Sequence, residues 1–155
     1  MTAIVYFSEM LAASLAAVAL LEISPFRTNL EVVLFGAGVF TWSLAEYMVH
    51  RFVLHGFSAT EHRRHHANPS APVLTVFWQT WAGFALVYLI AGGAVLAGVL
   101  AAYAWYLFVH YHAHHDPDSL PSSLLKHHKN HHRLASRNYG VSTTLWDHVF
   151  GTMLR

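Results

Sequence analysis

Four long apolar runs limit what this chain can fold into more than any other feature. A helix needs about 20 mostly apolar residues to cross the hydrocarbon core of a bilayer. The runs lie at about 3–21, 30–49, 73–90 ("VLTVFWQTWAGFALVYLI") and 94–109. Only a short Gly92-Gly93 break separates the last two, so a tight hairpin is expected between them; as one helix they would far exceed a bilayer. Composition agrees, with 55% hydrophobic and 11% charged residues, against about 25% charged in ordinary globular chains. The expected fold class is an all-α integral membrane protein with about four transmembrane helices, residues 1–155 forming a single membrane-embedded domain. The first run, within "MTAIVYFSEMLAASLAAVALLEISP", has no basic residue ahead of it. It therefore reads as an uncleaved span rather than a secretory signal.

Basic residues orient the spans, because cytoplasmic loops carry the excess of Lys and Arg. Arg51, Arg63 and Arg64 follow the second run, and Lys126, Lys129, Arg133, Arg137 and Arg155 lie in the tail. Only Arg27 falls on the other side. Both termini are thus expected in the cytoplasm. A net charge of +1 offers no field for nucleic acid, and the absence of cysteine excludes disulfides and thiolate metal sites.

Fourteen histidines outnumber the nine Lys plus Arg. All lie at span ends, in the loop 50–72 or in the segment 110–155, so two hairpins would return them to one face as a histidine-rich cytosolic cap. H-x-x-H-H occurs twice, as His62, His65, His66 and as His128, His131, His132. On a helix, His62 can converge with His65 or His66, whereas the adjacent pair diverges by about 100°. Neighbours pointing apart suit two metal ions better than one. His110 and His114 are an i, i+4 pair on one face. His50 and His55 are five apart, a spacing that a regular α-helix does not align on one ion. Ten candidate metal ligands result: His50, His55, His62, His65, His66, His110, His114, His128, His131 and His132. A lone histidine near a membrane is usually interfacial; two repeated motifs and two spaced pairs on one face favour a dinuclear site. His112, His115, His127 and His148 fall outside the pattern and read as supporting or solvent-facing.

Imidazole suits iron, zinc, copper and nickel. No Glu-x-x-His motif of the carboxylate-bridged di-iron bundles is present, and a hydrolytic zinc site uses about three protein ligands. A redox-active iron pair that activates oxygen fits ten imidazoles better. Imidazole's ordinary pKa of about 6.5 sets an expectation of metal loss at mildly acidic pH. The competing readings are a membrane metal transporter or metal-binding protein, and a structural protein with an incidental histidine-rich loop. A transporter should line its spans with ionisable residues, and Glu9 is the one acidic candidate.

The series H-x4-H, H-x2-HH, H-x3-H and H-x2-HH, with the tail "GVSTTLWDHVFGT", resembles the fatty acid hydroxylase/sterol desaturase superfamily of membrane histidine-rich di-iron enzymes. The likeness runs from about His50 to Thr152. It implies a four-helix anchor under a histidine-rich cap, two iron ions held by the ten histidines, and O2 as co-substrate. It also implies hydroxylation or desaturation of a membrane lipid. Electrons would come from a separate cytochrome b5 or ferredoxin-type donor, since no fused cytochrome b5 domain is expected in 155 residues. Zinc can displace iron in preparations, standing above Fe²⁺ in the affinity order. The short His55–His62 spacing is similar to bacterial carotenoid beta-ring hydroxylases; the H-x3-H pair and "WDHVFGT" look like fatty acid 2-hydroxylases. A fatty-acyl chain is the leading substrate, with a carotenoid ring or a sterol-type lipid as alternatives. No catalytic residue beyond the ligands is expected, and the oligomeric state stays open.

Two carboxylates are candidate supports. Glu46 lies one turn before His50 and can hold that ring's other N–H, as carboxylates commonly do for ligating histidines, or it can snorkel. Asp147 can play the same part or serve a turn. Pro69 and Pro72 should close the histidine loop, and Asp116-Pro117-Asp118 a turn. Trp78, Trp81, Tyr103, Trp105 and Tyr106 can line a lipid channel or form an interfacial belt. Gly83, Gly92, Gly93 and Gly98 should allow close helix packing.

Overall fold

The computed structural model of this chain describes residues 3–23, 28–57, 59–69 and 77–154. In order, they form α1 (Ala3–Ile23), α2 (Asn29–Met48), a π-helical stretch (Val49–Phe57), α3 (Ala59–Ala67), α4 (Phe77–His115), a 3₁₀ turn (Pro117–Ser119), α5 (Ser122–Arg133) and α6 (Leu145–Val149). The start of the expected third span, with Pro72 before it, lies outside the described residues, as do Arg27 and Arg155. Among the described residues, three helical segments are long and apolar enough to cross a membrane: Tyr6–Ile23, Asn29–Gly56 and Trp78–His115.

The third of these segments is doubled. Phe84 and Tyr103 stand nineteen residues apart in α4, yet their ring centroids are 5.1 Å apart. A straight helix would separate them by about 28 Å at 1.5 Å per residue. The chain reverses at Gly92, whose φ of 82° and ψ of 179° are non-helical. A side chain there would be strained, which is why glycine occupies the turn. α1, α2 and the two arms of α4 are thus four apolar helical segments, and the hairpin falls where the two glycines interrupt the run.

The described residues divide into two compact units, one drawn from 3–42 with 77–105, the other from 43–69 with 106–154. In the first, α2 and the second arm of α4 touch backbone to backbone. A Cβ on Gly38 would meet the Val95 carbonyl oxygen at 2.1 Å, and one on Gly98 would meet that of Phe35 at 2.1 Å. Small residues at both positions let the helices approach this closely, the packing that holds apolar helices where lipid removes the hydrophobic drive. Gly83, by contrast, has open space where its Cβ would be.

Glu9 of α1 is buried in this unit. Its Oε1 accepts hydrogen bonds from Trp81 Nε1 and Tyr103 Oη, both at 3.0 Å. One acidic side chain therefore ties α1 to both arms of α4. Trp42 and Phe84 pack around the same tyrosine, at centroid distances of 4.9 and 5.1 Å. These aromatics serve the packing of the unit, whereas Trp78 and Trp105 are exposed.

The second unit carries the histidines. One apolar cluster of Val109, Ala113, Leu120 and Val141 packs the end of α4 against the start of α5 through Leu124 and Leu125. Another, of Tyr47, Tyr139 and Trp146 with Leu44, seats α6 on the end of α2. Trp146 Nε1 donates to Ser43 Oγ at 3.0 Å across that contact. The expected turn at Asp116 is present, closed by Ser119 N donating to the Asp116 carbonyl at 3.2 Å.

The glycine contact sets a test. Gly98→Leu forces α2 and α4 apart and should cost about 1–3 kcal/mol, the usual penalty of overpacking. Gly83→Ala, with open space for its Cβ in a helix interior, should keep stability or raise it by up to about 1 kcal/mol. Thermal unfolding of the two variants in the same detergent checks both, and equal melting temperatures would refute the contact.

Candidate metal centre

Each histidine-bearing helix presents imidazoles at one-turn intervals, and the ten rings gather into two groups of five. The first comprises His50, His55, His62, His66 and His131; the second comprises His65, His110, His114, His128 and His132. Within each group, one ring nitrogen from every residue lies within 4.8 Å of all the others. The two H-x-x-H-H motifs divide between the groups. His62 and His66, one turn apart on α3, enter the first group and His65 the second. On α5 the pattern reverses, with His131 in the first group and His128 and His132 in the second. The groups abut, since the His66 and His132 rings stack at 4.4 Å.

His50 and His55 correct the reading of their spacing. A regular α-helix does not align residues five apart, but Val49–Phe57 is π-helical, and its wider turn closes hydrogen bonds from i to i+5. Their Nε2 atoms are 3.3 Å apart in the same group.

Nitrogen spacing in the first group is tight. His50 and His62, His62 and His55, and His55 and His131 each bring Nε2 atoms to 3.0 Å, and His66 reaches His62 at 3.2 Å. Mutual hydrogen bonding cannot account for all of these contacts. His131 Nδ1 donates to the Arg137 carbonyl at 2.7 Å, and His50 Nδ1 donates to that of Tyr139. A carbonyl only accepts, so both Nδ1 atoms carry the proton and both Nε2 atoms are bare lone pairs. Around an ion with metal–nitrogen bonds of about 2.1 Å, nitrogens at right angles lie about 3.0 Å apart. In the second group, His128 and His114 approach at 2.9 Å and His110 and His65 at 3.2 Å. His132 is half-buried with neither ring nitrogen hydrogen-bonded, a cost of about 1–3 kcal/mol per group that ligation would offset. Both sets fit a borderline divalent cation.

Residues 35–152 match the profile of the family described as Fatty acid hydroxylase. The chain belongs to the fatty acid hydroxylase family. The dihydroceramide fatty acyl 2-hydroxylase FAH2 of Arabidopsis thaliana is 36% identical to it over 138 residues, 75% of this chain and 58% of the relative. The human fatty acid 2-hydroxylase is 33% identical, over 77% of this chain and 39% of the relative. This family member thus spans only about half the length of such relatives. A solved structure of full-length scs7p, with only its hydroxylase domain visible, matches with a TM-score of 0.76 at 27% identity, covering 96% of this chain and 65% of the other. With its apolar helices, membership makes the chain an integral membrane protein.

Of the two candidate supporting carboxylates of this fatty acid hydroxylase family member, Glu46 does not reach His50, while Asp147 holds both a histidine and a turn. Glu46 leaves His50 to the Tyr139 carbonyl and accepts instead from the amides of Val141 and Ser142, at 2.7 and 2.9 Å. Asp147 meets His127 Nε2 at 3.0 Å. Burial raises the Asp147 pKa, but hydrogen bonds from His127, Thr152, Gly140 and Tyr139 outweigh it and hold the group below its ordinary value. His127, read as supporting or solvent-facing, is buried as this partner. His112 and His115 donate Nδ1 hydrogen bonds to carbonyls one turn back on α4, at 2.8 and 3.0 Å, and His148 is exposed. Sequence reasoning missed the carbonyls of Arg137 and Tyr139 altogether. Backbone acceptors have no side-chain signature, and the Asn138-Tyr139-Gly140 turn was their one local mark.

Burial holds the rings neutral. It lowers His66 to about 4 and His131 to about 3, and it drives His128 well below the ordinary 6.5. Repulsion from neighbouring imidazoles adds to the effect in each case. Above about pH 6.5 the folded and unfolded chains are both neutral at these positions, and stability does not vary with pH. Below it, the unfolded chain takes up protons that the folded site refuses, so stability falls as pH falls through the window from 6.5 toward 3. Metal loss should therefore coincide with unfolding rather than follow simple titration near 6.5. Parallel measurements of bound metal and near-ultraviolet circular dichroism from about pH 8 to pH 4 should give one shared transition. Metal released from protein that keeps its tertiary signal would contradict this account.

Proposed function

We propose that this chain is the oxygen-dependent catalytic domain of a lipid hydroxylase, with two iron ions held by the ten histidines. The observation that carries the reading is the pair of abutting five-imidazole groups in a member of the fatty acid hydroxylase family. Bound iron would supply the redox chemistry that activates O2 for attack on a C–H bond. The net reaction consumes O2, two electrons and two protons, converting C–H to C–OH and releasing water. Those electrons come from a separate donor of cytochrome b5 or ferredoxin type. Relatives named as fatty acid and dihydroceramide fatty acyl 2-hydroxylases support a membrane lipid's fatty-acyl chain as substrate, with the oxygen placed beside the acyl carbonyl. The loop and tail basic residues support a cytosolic site and cytosolic termini.

The chain's own residues do the holding and orienting. Nδ1 donation to backbone carbonyls fixes His50 and His131 with Nε2 free to ligate. Buried positions keep His62, His65, His128 and His131 away from water, so the rings stay unprotonated and available. An all-imidazole shell would hold each cation without adding negative charge to the site.

Purification without oxygen should yield about two iron ions per chain, the count of a dinuclear site. His65→Ala and His131→Ala should each release the ion of their own group and abolish turnover. Mass spectrometry of lipids from cells with and without the protein should show a gain of one oxygen on fatty-acyl chains. Loose metal binding that single histidine changes do not alter would sink the proposal, and an oxygen gained on a carotenoid would redirect the substrate. A zinc-filled preparation would leave the reading standing, because zinc outcompetes Fe²⁺ at such sites.

A further inference from the structure

Two buried carboxylates outside the histidine groups converge on a single loop. Asp147 accepts the Tyr139 amide at 2.8 Å and the Gly140 amide at 2.7 Å. Glu46 accepts the next two, from Val141 and Ser142, at 2.7 and 2.9 Å, together with the Ser142 hydroxyl. Four consecutive amides thus end on two side chains. Asn138, left-handed at φ 57°, pins the loop again: its amide donates to the Thr152 carbonyl at 3.0 Å and its Nδ2 to that of His127 at 3.2 Å.

The loop so held supplies the carbonyls of Arg137 and Tyr139 to His131 and His50. Both belong to the first group. Buried Nδ1 atoms without a hydrogen-bond partner occur in both groups, at His62 and His66 of the first and at His128 and His132 of the second. The loop's carbonyls therefore orient two of the first group's five ligands.

We infer that Glu46 and Asp147 are positioning residues that act through the 137–142 loop to pre-organise the first histidine group for its metal, so that the two sites hold their ions with different firmness. This rests on reading the groups as metal sites. A carbonyl acceptor on Nδ1 fixes the tautomer and the ring plane and raises the ligand's basicity. The carbonyl stays in place because charge-assisted bonds, roughly twice as strong as neutral ones, hold the adjacent amides.

The test uses the full chain in detergent, loaded with iron under anaerobic conditions and challenged with a chelator. Asp147→Asn puts an NH2 group where an acceptor stood. It should release one ion about 10–100 times faster, the usual effect of losing an outer partner, while the other ion leaves at the wild-type rate. Adding His131→Ala should remove the fast-leaving ion and keep the slow one; adding His128→Ala should remove the slow one and keep the fast. Gly140→Ala provides an independent variant that keeps the charge. Its Cβ would come within 2.1 Å of the Thr143 carbonyl oxygen and 3.0 Å of Asp147 Oδ2, displacing the loop, and it should show the same selectivity. It decides the matter if Asp147→Asn does not fold. Equal release of both ions, selective loss from the second group, or no change would overturn the inference. A wild-type chain that does not hold two ions would instead overturn the proposed function.

Discussion

Bare ring nitrogens crowded within 4.8 Å of one another repel unless a cation stands among them, and this chain builds such a crowd twice. The rest of the histidine unit follows from that constraint. Burial keeps imidazoles neutral below their ordinary pKa of about 6.5 as well, and the helices carrying them need a polar side that faces inward. α5 shows the consequence: His127, His128 and His131 are buried while Lys126, Lys129 and Arg133 are exposed. In an ordinary soluble helix the buried stripe would be apolar. Here apolar packing is displaced to flanking positions, with Leu124 and Leu125 joining the Val109 and Val141 cluster.

Sharing follows from helical geometry. Successive residues on an α-helix diverge by about 100°, so one H-x-x-H-H motif cannot direct all three rings at one point. α3 and α5 each divide theirs, in opposite proportion, and both helices become common walls of the two groups. The π-helical stretch solves the remaining problem of bringing His50 and His55 to one group from a spacing that an α-helix cannot use. A wide turn in a helix is costly, and its occurrence at a functional site is the usual circumstance.

The four apolar segments and the hairpin at Gly92 were legible in the sequence, because bilayer thickness and a Gly-Gly break are strong constraints. So was the convergence of ten histidines, since repeated spacing returns them to one face. The division into fives was legible in principle from the angular offset of adjacent residues, but not the membership of each group, which depends on how α3 and α5 pack. The π-helix was not legible: nothing in "VHRFVLHGF" distinguishes it from an α-helical turn until the rings have a common target. Glu46 had two readings, a bond to His50 or a snorkelling position, and takes neither: its one-turn offset from His50 is a local cue, while its partners, Val141 and Ser142, come from the far end of the chain. Long-range contacts of this kind leave no periodicity to read.

The placement of charge separates the roles further. No carboxylate belongs to either histidine group, although two buried ones occur in the same unit. A carboxylate ligand would neutralise part of the cation's charge and bring in a hard oxygen donor, favouring other metals. Bound to backbone amides instead, Glu46 and Asp147 exert their influence through geometry. α3 and α5 cannot convey that influence to one group alone, since each carries ligands of both. The 137–142 loop can, because its carbonyl bonds to ligand rings, Arg137 with His131 and Tyr139 with His50, fall in the same group. Inequality between two sets of identical ligands thus arises from which side chains hold the backbone behind them.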